Sequence, residues 1–86
     1  MSERSERIAA RLQAAFAPSE LQVIDESHRH AGHAGAASGK GHFKLRIVSA
    51  QFAGLSLIAR HRAVYSALAE EMENDIHALA IEALPP

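Results

Sequence analysis

Histidines are the residues of this chain whose type and spacing point most clearly to chemistry. Three of the six lie close together, at His28, His30 and His33, and the chain contains no cysteine. Imidazole is a good ligand for iron, zinc and copper, but a chain without cysteine supplies no thiolate. A soft-metal cofactor would therefore be shared with a partner that provides the sulfur ligands. His77 is the further histidine of interest, because it begins a strand-like run far along the chain.

The segment that carries the clustered histidines is predicted to be a loop. Residues 27–41 contain four glycines, four alanines and no large apolar residue, a composition that breaks helices and strands. A connection of this length is unusual between two strands of a small domain, and such loops are commonly functional or disordered. Spacing alone does not choose among the three loop histidines, so each of them stays a candidate ligand.

Hydrophobic periodicity predicts the elements that must position these side chains. Apolar residues recur every three or four positions in two segments, which is typical of helices, and alternate in three others, which is typical of strands. The clearest alternation places Phe43, Leu45 and Ile47 on one face and basic residues on the other. The predicted elements are a helix at 3–16, strands at 20–26 and 42–49, a main helix at 57–73 and a strand at 76–82.

Two further expectations concern which side chains are buried. At 100° per residue, one face of the main helix is expected to be apolar, with His61 in it as a buried histidine that has a hydrogen-bond partner. On the last strand, His77 is expected on the same side as Leu79 and Ile81, with Ile76 on the other side. The predicted buried face of the main helix consists of Leu57, His61, Val64, Tyr65, Leu68 and Met72.

The order α-β-β-α-β predicts a small α+β domain. A three-stranded sheet with helices on one face is the natural two-layer solution, and a helical crossover before the last strand makes the sheet mixed. This layout is KH-like, of the second topological type. We expect a single domain over residues 1–86, with its structured core at about 3–82.

Composition argues for an ordinary soluble protein. The apolar fraction is 48%, the charged fraction 22% and the formal net charge −1, so no global field drives the chain onto nucleic acid or a membrane. No apolar run approaches the ~20 residues of a membrane span, and the first residues lack the features of a targeting peptide. We expect a cytoplasmic protein.

Several short strings of the sequence resemble the BolA family. The main ones are Phe52-Ala53-Gly54, then Arg60-His61-Arg62 followed by Val64-Tyr65, and finally His77-Ala78-Leu79. The further matches are Asp25-Glu26-Ser27, His30, His42-Phe43, Ser56, Leu68 and Glu70-Glu71, so that the resemblance covers residues from about 21 to 82.

The resemblance implies a non-enzymatic domain that pairs with a monothiol glutaredoxin. The two proteins would share a [2Fe-2S] cluster, with glutathione brought by the partner, and the isolated chain, a monomer or weak homodimer, would hold no cofactor. The implied ligands are His30 and His77, with His33 as an alternative loop ligand. One departure lies at Lys40-Gly41, where the family usually has an acidic residue followed by Ser or Thr.

The resemblance also implies a second class of function, because some family members bind double-stranded DNA as transcription regulators through a helix-turn-helix-like region. The residues that would contact DNA are Lys44, Arg46, Arg60 and Arg62. The sequence does not indicate an enzyme, because it has no nucleophile elbow, no P-loop and no cysteine nucleophile.

Overall fold

Seven short elements make up the part of the chain that the computed structural model describes, residues 2–27 and 39–86. The predicted order of elements is confirmed, except that the predicted main helix at 57–73 is divided at Leu68. Hydrogen bonds from Leu68 N to Val64 O and from Met72 N to Leu68 O cross the division, so the backbone ladder continues across it. The elements are α1 (Glu3–Phe16), β1 (Glu20–Asp25), β2 (Gly41–Val48), a 3-10 turn (Ala50–Phe52), α2 (Leu57–Ala67), α3 (Ala69–Asn74) and β3 (Ile76–Leu84).

Local signals fix both ends of α1. The Ser2 hydroxyl accepts a hydrogen bond from Ser5 N at 3.1 Å, which satisfies one of the free amides at the helix start. Ala17 adopts a left-handed conformation with φ 42° and donates its amide to Gln13 O, which closes the last turn before Pro18. The predicted helix at 3–16 is therefore confirmed at both ends.

The three strands form one mixed sheet in the order β1-β2-β3. β1 pairs antiparallel with β2, and β2 pairs parallel with β3. The alternation predicted for β2 is confirmed, because Phe43, Leu45 and Ile47 are buried against the helices. The opposite face of the sheet is open, and Lys44 and Ala80 are exposed on it.

One core joins the helices to the sheet. Phe52, in the 3-10 turn, is fully buried, and its ring centre lies 5.0 Å from that of Phe16 at the end of α1. The turn thus fills the gap between the first helix and the crossover to α2. The core consists of Ile8, Leu12, Phe16, Phe43, Leu45, Ile47, Phe52, Val64, Leu68, Ile76 and Ala83.

The predicted buried face of the main helix is wrong in part. His61 is only half-buried, and its Nε2 has no hydrogen-bond partner among the described residues, contrary to the prediction. Leu57 is 62% exposed and Tyr65 41% exposed, whereas Ala63 and Ala67, expected on the far face, pack against the core. Leu57 is the first residue of α2 and lies six residues before Ala63, which packs against the core. Two alanines thus contribute to the contact of α2 with the core.

The prediction for β3 is wrong at its first residue. Ile76 is buried in the core, not on the open side. The pairing runs from Gly41 opposite Ile76 to His42 opposite Ala78, so the register shifts at this point. His77 is the extra residue of a β-bulge, which resets the alternation and lets Ile76 and Leu79 both face the core.

Candidate metal centre

The sheet edge around His77 gathers the ends of all three strands. Because β1 runs antiparallel to β2 and β3 runs parallel to it, β1 ends at the edge where β2 and β3 begin. Glu26 N donates to His42 O at 2.8 Å, and Gly41 N donates to Asp75 O at 2.8 Å. Both described flanks of the histidine-rich segment, ending at Ser27 and beginning at Gly39, therefore adjoin the edge that carries His77.

His77 is exposed at the start of β3, and its ring lies close to that of His42. The two ring centres lie 5.2 Å apart, with the ring planes tilted by 48°. His42 is half-buried as the second residue of β2. The sequence analysis did not predict a role for His42 as a metal ligand and so missed this pair. The signal that would have found it was the parallel pairing of β2 with β3, which brings their first residues together.

The predicted loop ligands cannot be placed in the same way. His30 and His33, like His28, lie outside the described residues, which resume at Gly39. Among the residues that are described, no three His, Cys, Asp or Glu side chains stand close enough to hold one metal ion.

Hydrogen bonds fix the backbone on which His42 stands. Ser27 N donates to Asp25 Oδ1 at 2.9 Å, and the Ser27 hydroxyl accepts a hydrogen bond from His42 N at 3.1 Å. Burial would raise the pKa of Asp25, but the hydrogen bonds from the Ser27 hydroxyl and amide and from the Ser2 hydroxyl, with the charge of Arg4, lower it below its usual value. Asp25 is thus held as a carboxylate that organises the strand ends.

Gly41 stands where a side chain would meet two close neighbours. A Cβ at this position would lie 2.6 Å from Ser27 Oγ and 2.7 Å from the Phe43 ring, closer than any real contact. The Ser27 hydroxyl and the Phe43 ring therefore fill the space that a side chain at position 41 would need.

Two arginines of α1 stabilise the backbone just before His77. Arg7 Nη2 lies 3.1 Å and Arg4 Nε 3.6 Å from Asp75 Oδ1, and Arg4 also donates a hydrogen bond to Gly39 O. These contacts tie the helix start, the β3 start and the described end of the loop together.

The four basic residues predicted to bind DNA do not share one surface. Lys44 and Arg46 lie on the open face of the sheet, where Arg46 pairs with Glu20 at 3.3 Å and Glu82 at 2.8 Å. Arg60 and Arg62 lie on α2, in the helical layer on the opposite face.

Arg60 has a structural role that the sequence did not reveal. Its Nε donates to Leu55 O at 3.1 Å and its Nη1 to Ala83 O at 3.2 Å. The side chain therefore clamps the start of α2 to the end of β3. Arg62 is exposed.

Comparison with known families decides the relationship. The model of the BolA-like protein family matches residues 12–86. The chain belongs to the BolA family. The match covers the whole sheet, both crossover helices and the His42–His77 edge, so the resemblance read from the sequence is confirmed.

Individual relatives agree with this placement. The chain is 50% identical over 76 residues to the DNA-binding transcriptional regulator BolA of Escherichia coli, a match that covers 88% of this chain and 70% of the relative. It is 45% identical over 91 residues to SufE-like protein 1 of Arabidopsis thaliana, covering 100% of this chain but only 24% of that protein. The solved BolA domain of SufE1 from the same plant superposes with a TM-score of 0.87 at 42% identity, covering 100% of this chain and 95% of that chain.

The described helices also bear on membrane topology. None of them is both long and apolar enough to cross a membrane.

Proposed function

We propose that this protein is a non-enzymatic partner of a monothiol glutaredoxin and shares a [2Fe-2S] cluster with it in iron–sulfur trafficking or iron sensing. The observation that carries the proposal is the exposed His77 at the sheet edge where both flanks of the histidine-rich segment meet. His77 takes one ligand position, and His30, or His33 in its place, takes the second.

The chemistry of the available ligands favours a cluster shared with a partner over a cluster bound by this chain alone. The chain has no cysteine, and histidines replace thiolates on one iron of Rieske centres while cysteines hold the other. In the proposed complex the glutaredoxin and its glutathione supply the sulfur ligands. This chain contributes imidazoles from a rigid edge that Asp25, Ser27 and Asp75 hold in place.

The test is anaerobic mixing with a cluster-loaded monothiol glutaredoxin, followed by visible circular dichroism. A change of the cluster spectrum that saturates at one-to-one stoichiometry is expected. His77→Ala should abolish that change, whereas His61→Ala, which removes an imidazole on α2 far from the edge, should leave it intact. An unchanged spectrum with the unaltered protein would overturn the proposal. His30→Ala and His33→Ala then separate the two loop candidates.

A second candidate function is DNA-binding regulation in the cytoplasm. It is favoured by the similarity to the E. coli relative, whose name describes a DNA-binding transcriptional regulator, and by the exposed cations Lys44 and Arg62. Phosphate contacts make such binding fall steeply with salt. Retardation of duplex DNA should be lost in Arg62→Glu and retained in His77→Ala. Loss in Arg60→Glu needs a folding control, because that side chain clamps α2 to β3.

A further inference from the structure

We propose that His42 and His77 form a two-imidazole site that binds a divalent transition-metal ion, with Zn²⁺ as its probe, without any partner protein. This site differs from the cluster ligand set proposed above, because it uses His42 of β2 in place of a loop histidine. It requires neither a glutaredoxin nor an iron–sulfur cluster.

The distance between the rings is the first observation for this site. Two imidazoles that bind one tetrahedral metal with metal–nitrogen bonds of about 2.0–2.1 Å place their ring centres roughly 5 Å apart. The ring centres of His42 and His77 are separated by 5.2 Å. The separation of the two rings therefore matches the separation that one shared tetrahedral metal requires.

The backbone beneath the pair is the second observation. His42 N is held by the Ser27 hydroxyl and its carbonyl by Glu26 N, and the residue pairs with Ala78 of β3. His77 stands on the bulge that shifts the register of β3 by one residue. A site on paired strands loses little freedom when it binds a metal, which favours affinity.

The surroundings suit an open site with a carboxylate nearby. A shallow groove beside the pair is lined by Glu26, His42, Phe43 and residues 78–80, so a carboxylate lies on the same groove as the imidazole of His42. The described residues bring no third ligating side chain to this point, so the two imidazoles are the ligands that this part of the chain supplies. Imidazole suits zinc, copper and nickel among divalent metals.

The histidines of the loop must be removed before the site can be tested, because His-rich segments commonly bind metals and His28, His30 and His33 would compete for Zn²⁺. The background is therefore the full chain with all three replaced by Asn. Zn²⁺ alone is titrated into it by calorimetry, and long-range ¹H–¹⁵N spectra of the imidazoles identify the histidines that respond. We expect one Zn²⁺ per chain and shifts of the His42 and His77 resonances.

Three variants in that background decide the outcome. His42→Asn and His77→Asn should each weaken Zn²⁺ binding at least tenfold, while His61→Asn leaves it unchanged and far-ultraviolet circular dichroism verifies that all are folded. Zn²⁺ binding that is absent from the background, or unaffected by His42→Asn, would overturn the proposal. Neither result depends on cluster sharing, since no glutaredoxin is present.

Discussion

The residues around His42 show how single atoms set the geometry of the sheet edge. Ser27 Oγ receives the His42 amide and leaves no room for a side chain at Gly41. We expect Gly41→Ala to lower the free energy of unfolding by about 1–3 kcal/mol, as overpacking of a tight site does. Urea unfolding measures this, with Ala80→Ser, one added atom at an exposed strand position, as the control. Equal stability of the two variants would contradict the packing described for Gly41.

Asp25 makes stability at this edge depend on pH. Its pKa is lowered because the hydrogen bonds of Ser27 and Ser2 and the charge of Arg4 outweigh burial, which raises it. A carboxylate with a depressed folded-state pKa stabilises the fold above its unfolded-state pKa and loses that contribution as pH falls through the folded-state value. Asp25→Asn should therefore cost about 1 kcal/mol at pH 7, and this cost should shrink as pH falls from 7 to below the usual pKa of an aspartate.

The comparison for Asp25 is urea unfolding of both proteins across that pH range. Glu73→Gln, a change at an exposed carboxylate of α3, is the matched control. A difference between wild type and Asp25→Asn that persists undiminished at low pH would show that the charge of Asp25 is not what stabilises the edge.

At the scale of elements, the face that α2 turns toward the sheet determines how much the leucines near its two ends contribute to stability. Leu68 is fully buried at the division between α2 and α3, whereas Leu57 is 62% exposed. Leu68→Ala should cost about 2–5 kcal/mol, since it opens a cavity in the core. Leu57→Ala should change stability by less than about 0.5 kcal/mol. Thermal or urea unfolding compares the two leucines, and similar losses would mean that the helix faces the sheet by its predicted stripe.

The sequence predicted the elements better than their faces. The alternation in β2 and the spacing of Ile8, Leu12 and Phe16 at every fourth residue are strong local signals. The structure contains both the strand and the helix that these signals predict. The faces of α2 and the start of β3 depend on tertiary contacts that periodicity does not contain. Alanines carry no strong preference for either face of a helix, and a bulge is set by the neighbouring strand.

The candidate site was predicted only in part, because its geometry also depends on tertiary contacts. His77 could be selected because it resembles a family position, and the structure brings the described flanks of the loop to the same edge. The His42–His77 pair was missed because it follows from the parallel register and the bulge together. His30 and His33 lie outside the described residues, so the choice between them stays a prediction.

At the scale of the whole molecule, one ion-pair cluster ties α1 to α3 across the helical layer. Glu71 is buried, and its Oε2 accepts a hydrogen bond from Arg11 Nε at 3.1 Å. The hydrogen bond and charge of Glu71, with the charge of Glu70, raise the pKa of Arg11 against the effect of desolvation. Removing the cation leaves a buried carboxylate without its partner, which is more costly than losing an exposed pair.

We therefore expect Arg11→Gln to lower Tm clearly more than Glu70→Gln does. Glu70 also binds Arg11, at 2.6 Å, but is itself exposed. Differential scanning calorimetry at pH 7 measures both variants. A larger loss in Glu70→Gln would mean that the exposed pair, and not the buried carboxylate, joins the two helices.

Ligation of a shared cluster by His77 is the central claim, and pulsed EPR tests it most directly. This chain is labelled with ¹⁵N, mixed with an unlabelled cluster-loaded monothiol glutaredoxin, and the cluster is reduced to its paramagnetic state. We predict a ¹⁵N hyperfine coupling typical of a metal-bound imidazole, which His77→Ala removes or diminishes. A reduced cluster in the stable complex without any ¹⁵N coupling from this chain would contradict the account.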